Sequence, residues 1–69
     1  MKTVRAADVD GVIRYFTIGD SISFKCDVEQ SSEITAVRRS AYGVAAVRVN
    51  VTEGGYPHGE TWIDCDRCW

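Results

Sequence analysis

Four residues have the chemistry to hold a metal ion. Cys65 and Cys68 form a Cys-x-x-Cys pair near the end of the sequence, and Cys26 and His58 would complete three sulfurs and one nitrogen. Zinc accepts that set as a tetrahedron, and a small chain gains folding energy by binding it. A structural reading competes. Cys26 fits the apolar face of one strand, and Cys65 fits the inward face of another. In an extended chain Cys65 and Cys68 point to opposite faces, and no glycine between them lets the backbone turn tightly. The reading without a cofactor is preferred. A redox dithiol would need the pair at a helix start, and no helix is expected there.

The acidic cluster Glu60, Asp64 and Asp66 brackets the same segment. Asp64 and Asp66 lie two apart and share a strand face with Trp62. Paired carboxylates serve acid–base chemistry only in a cleft that shifts their pKa. On an open sheet they form a solvated face. His58 has no neighbouring nucleophile of suitable geometry, so no catalytic set is found and no enzyme is expected. The cations Arg38, Arg39 and Arg48, with Tyr42, could contact phosphates and stack on a base, as single-strand binders do. The aromatic set Tyr42, Tyr56, Trp62 and Trp69 includes a protein-binding surface of Tyr56, Trp62 and Trp69 with Asp64 and Asp66 if Ile63 and Cys65 face the core, because exposed aromatics beside charges commonly anchor interfaces; the competing reading packs Trp62 in the core and turns Ile63 outward.

Composition narrows these choices. A sequence of 69 residues makes a single small domain, 1–69, with a modest core. That leaves little room for the deep pocket most enzymes need. The net charge of −2 argues against a simple electrostatic nucleic-acid binder and against adhesion to anionic membranes. Met1 to Arg5 is followed by Ala6-Ala7-Asp8-Val9-Asp10, so no signal peptide is expected. Three cysteines, an odd number, fit a disulfide framework badly. A cytoplasmic location is expected.

The elements that position these residues read as strands. Val47, Val49 and Val51 alternate with Arg48 and Asn50, the period of a half-buried strand. A turn-rich stretch from Thr52 to Gly59 follows. A last strand places Thr61, Ile63 and Cys65 on one face and Trp62, Asp64 and Asp66 on the other. Earlier, a weak strand over Lys2–Ala7, a turn at Asp8–Gly11 and a strand over Val12–Ile18 are expected. Ser21–Val28 alternates clearly, which marks Ile22, Phe24 and Val28 as core with Cys26 beside them. Residues 31–42 admit two readings. One is a short helix over about 32–42, capped by Ser31 or Ser32 and stopped at Gly43. The other is a strand over Glu33–Arg39 with a turn at Ser40–Gly43. The fold expected is mainly β: a small antiparallel sheet or barrel of about five strands, which at this size hides its edges by curling.

The run Phe16-Thr17-Ile18-Gly19-Asp20-Ser21-Ile22-Ser23-Phe24 resembles the early Gly-Asp-containing strand of SH3-like small barrels. Glu33–Val37 and Val47–Val49 are similar to the next two strands of those barrels. The resemblance implies a binding scaffold without naming a ligand. The acidic, loop-rich chain with its Thr61-Trp62-Ile63-Asp64-Cys65 end also resembles the accessory proteins of phages and mobile elements, including anti-CRISPR proteins. That likeness implies a non-enzymatic protein that binds and inhibits or modulates a larger host protein or protein–nucleic-acid machine. Two other expectations stand beside it. One is an SH3-like nucleic-acid or ribonucleoprotein module using Arg38, Arg39, Tyr42 and Arg48. The other is a small structural protein that self-associates through an open sheet edge, as a homodimer for example.

Overall fold

The computed structural model describes residues 2–69. Its frame is the hairpin that the valine alternation points to. Strand β6, Ala45–Val51, lies between β5, Ala36–Arg39, and β7, Gly59–Asp64, in an antiparallel sheet. Val47 faces Val37 on one side and Ile63 on the other, and Arg48 faces Ala36 and Trp62. Side chains alternate across a pleat, so Val47, Val49, Val51 and Ile63 go inward and Arg38, Arg48, Glu60, Trp62 and Asp64 go outward.

Two further hairpins pack on this sheet. Strands β1, Thr3–Ala7, and β2, Ile13–Thr17, pair with Val4 opposite Phe16 on the inner face. Their turn is built by Asp8, whose Oδ1 accepts the N–H groups of Asp10 at 2.9 Å and Val12 at 3.1 Å. Asp8 is buried and lies 3.8 Å from Arg14, which offsets the cost of enclosing its charge. Strands β3, Ser21–Cys26, and β4, Val28–Glu33, form the other hairpin. The chain reverses at Asp27, whose φ of 69° is the only positive value on a non-glycine among the described residues.

That reversal corrects the expectation for Val28. The strand ends at Cys26, the alternation breaks, and Val28 is 41 % exposed rather than in the core. Ile22 and Phe24 are core as expected, and Cys26 is half-buried against them. The helix over about 32–42 does not form. Ile34 is buried, but on an extended link: its N–H donates to Asp20 O at 2.8 Å and its carbonyl accepts from Gly19 N at 2.9 Å. Pairing of β5 with the valine strand outweighs the weak helical preference of β-branched residues. Ser40–Val44 is a hairpin turn, with Gly43 at a φ of 85°.

The described residues therefore hold seven strands in small antiparallel sheets of two, two and three, and the sheets do not close into a barrel. The last strand also stops earlier than expected. Cys65–Arg67 is a single 3₁₀ turn, closed by Cys68 N–H on Cys65 O at 3.1 Å. The chain end then stitches the hairpins together. Ser23 and Trp69 exchange backbone hydrogen bonds at 2.9 Å each, and Val9 N–H reaches Cys68 O at 2.9 Å. All three sheets and the 3₁₀ turn contribute to one core, whose fully enclosed side chains include Phe16, Phe24, Ile34, Val49 and both Cys65 and Cys68. Burial of one such aromatic or branched side chain stabilises by about 1.5–3 kcal/mol. No helix among the described residues is long and apolar enough to cross a membrane.

Candidate functional site

An open cleft of about 880 Å³ lies between the β3–β4 hairpin and the β7–3₁₀ segment. Tyr56, Trp62 and Trp69 line it, each from a different part of the chain. Tyr56 stands in the β6–β7 loop and is 59 % exposed. Trp62 projects from the outer face of β7 and is half-buried. Trp69 is held by its backbone pairing with Ser23 and is 38 % exposed. Asp66 joins them because the 3₁₀ turn bends the chain toward the cleft. Four of the five residues expected at a protein-binding face thus lie together, and Asp64, exposed on the sheet face, lies outside the cleft.

The wall opposite was not legible in the sequence. Lys25, Cys26, Asp27 and Glu29 come from the β3–β4 hairpin, and Arg67 follows Asp66. The rim thus carries three carboxylates and two cations. Asp27 Oδ2 accepts Gly55 N–H at 2.6 Å, which pins the loop bearing Tyr56 to this wall. Gln30, buried in β4 opposite Phe24, completes the clamp. Its Nε2 donates to Glu53 O at 3.0 Å and Cys26 O at 3.2 Å, and its Oε1 accepts Thr52 N–H at 3.1 Å and Glu53 N–H at 3.3 Å. A polar residue among poor strand formers gives no periodic signal, so only the folded hairpin reveals it.

Of the arginines that could contact phosphates, Arg38 and Arg48 share the sheet face that carries Trp62, Arg39 lies on the opposite face toward β1, and all three guanidinium groups are engaged. The Arg38 guanidinium lies over the Trp62 ring at 4.2 Å from its centroid. Arg48 pairs with Glu60 at 3.2 Å and donates to Thr35 Oγ1 at 3.0 Å. Arg39 donates to Gly43 O at 2.8 Å and also to Arg5 O. Tyr42 is 96 % exposed at the tip of the β5–β6 hairpin, away from this face.

The cysteines and His58 are not brought together. Cys65 and Cys68 lie in the core, Cys26 is half-buried beside the cleft, and His58 is exposed in the loop with Nε2 at 3.2 Å from Gly54 O. Among the described residues no group of three or more His, Cys, Asp or Glu is placed to hold a metal ion. Burial pushes the Cys65 thiol up to about 11 and the Cys68 thiol up to about 12. Both are neutral, packed thiols at physiological pH, which suits a core role. The premise that Cys65 and Cys68 point to opposite strand faces is corrected, since the 3₁₀ turn sends both inward. Comparison with protein-family models, with curated proteins and with solved structures finds no match to this chain.

Proposed function

We propose that the chain is a protein-binding module with no catalysis of its own, and that the Tyr56–Trp62–Trp69 cleft is its binding surface. One observation carries this reading: three partly exposed aromatic side chains from three segments converge on one open, charge-rimmed cleft. Aromatic anchors with a polar rim are the energetic pattern of protein interfaces. Each costs little entropy to order, because the loop, the strand and the paired chain end already hold it. The partner is a larger protein, in keeping with an accessory protein of the phage or mobile-element kind that covers a surface of a host machine. The engaged state of Arg38, Arg39 and Arg48 supports this reading over direct nucleic-acid binding.

The test is capture from bacterial lysate on the tagged chain, with nuclease present, beside Tyr56→Ser, Trp69→Ser and Asp66→Lys chains verified as folded by circular dichroism. Stoichiometric capture by the parent chain, lost in these variants and kept in Asp64→Lys, is expected. Capture that the cleft variants leave intact would place the interface elsewhere. Capture abolished by nuclease would turn the reading toward nucleic acid.

A further inference from the structure

The cleft runs along strand edges. Thr61, Trp62 and Ile63 all line it, although their side chains alternate across the sheet, so the cleft must follow the open edge of β7. The hydrogen-bond parity of that edge can be worked out. Ser40 N–H donates to Val44 O at 2.8 Å, Thr35 N–H to Arg48 O at 2.8 Å, and Asn50 N–H to Ser32 Oγ at 3.0 Å. Even-numbered residues of β6 therefore direct their backbone groups toward β5, and odd-numbered ones toward β7. Val47, Val49 and Val51 are opposite Ile63, Thr61 and Gly59, so those pairs exchange the ladder bonds. The N–H and C=O groups of Glu60 and Trp62 are left pointing outward from β7.

The same argument holds across the cleft. Ser23 spends both backbone groups on Trp69, so its neighbours Ile22 and Phe24 face β4 and Lys25 faces away from it. The Phe24–Cys68 bridge continues this pairing and aims the Lys25 N–H at Arg67 O, so the chain end covers this edge and β7 presents the open one. Natural sheets usually cover or charge such an edge, and an aromatic-walled edge is instead suited to strand addition.

We infer that the occupant of the cleft is an extended segment of a partner protein, hydrogen-bonded to the backbone of Trp62 and seating alternate apolar side chains against Tyr56, Trp62 and Trp69. This rests on the cleft being the binding surface and adds the conformation of the partner. The excess of carboxylates on the rim, Asp27, Glu29 and Asp66 against Lys25 and Arg67, favours a segment that carries basic residues.

The probe is a displayed library of random dodecapeptides, selected on the intact chain. Selected peptides are then titrated while backbone amide exchange and indole resonances are followed by NMR. The expected result is enrichment of alternating apolar–basic sequences, with slowed exchange at the Trp62 amide in the bound state. N-methylation of the matching peptide position should weaken binding by about threefold to tenfold, the worth of one hydrogen bond. Peptides that shift the Trp62 and Trp69 indole signals without protecting the Trp62 amide would overturn strand addition and leave the cleft as a binding surface. A library that yields no cleft-directed binder would overturn both. Amides already protected at high protein concentration without peptide, with a dimer in sedimentation, would make the occupant a second copy and overturn a foreign segment.

Discussion

Replacing Gln30 by methionine should loosen the cleft from beneath. The change keeps an unbranched side chain of similar length and removes every hydrogen bond. Gln30 Nε2 lies near three carbonyls, at 3.0, 3.2 and 3.4 Å, but an amide has only two N–H bonds to give, so the longest contact counts for little. Oε1 accepts two N–H groups, from Thr52 and Glu53. Four effective bonds at about 0.5–1.5 kcal/mol each set the scale. Thr52 and Glu53 are exposed, so water recovers part of the loss, and a net cost of about 2–3 kcal/mol is expected. A domain of this length is stable by roughly 3–10 kcal/mol, so that loss is a large share. At about 4–8 °C per kcal/mol it should lower Tm by roughly 10–20 °C. Urea denaturation and thermal circular dichroism would measure it, and amide exchange at Thr52 and Glu53 should accelerate. Gln30→Glu should fall between, since it keeps the acceptor for Thr52 and Glu53 but sets a carboxylate against carbonyl oxygens. A Gln30→Met chain within about 0.5 kcal/mol of the parent would refute the clamp, because ordinary surface changes stay inside that range.

Three other outcomes are expected. Alkylation of the native chain at neutral pH should label Cys26 and leave Cys65 and Cys68 protected until unfolding; fast labelling of all three would contradict their burial. The raised thiol pKa values mean that the native chain holds protons the unfolded chain releases above pH 9, so stability should fall as pH rises from 9 toward 11–12, and Cys65→Ala/Cys68→Ala should lack that part of the fall. Gly54→Ala should destabilise more than Gly11→Ala, although both positions have positive φ, because a Cβ at Gly54 would meet Cys26 O and Asp27 Cβ at 3.0 Å and one at Gly11 meets nothing within 4 Å; equal costs in denaturation would refute the close packing of loop on hairpin.

The β6–β7 hairpin was legible because Val47, Val49, Val51 and Ile63 are strong strand formers in strict alternation. Strand β4 was not, since Glu29, Gln30, Ser31 and Ser32 have little strand preference and are held by pairing with β3. The ambiguity over residues 31–42 was settled by tertiary pairing that no local window contains. Tyr56, Trp62, Asp66 and Trp69 were found from residue type and neighbouring charge. Asp66 reached the cleft by a 3₁₀ turn rather than by strand alternation, and the same turn buried Cys65 and Cys68 together. The opposite wall escaped notice because Lys25, Asp27 and Glu29 look like ordinary polar residues until the tight reversal at Asp27 sets Lys25 across from Glu29.

The most direct test of the binding surface is hydrogen–deuterium exchange by mass spectrometry on the chain alone and in complex with its captured partner. Protection confined to peptides spanning 25–29, 54–57 and 60–69 is the predicted result. Protection over Ile13 and Tyr15 on the outer face of β2, or over the Tyr42 tip, with the cleft unchanged, would contradict it.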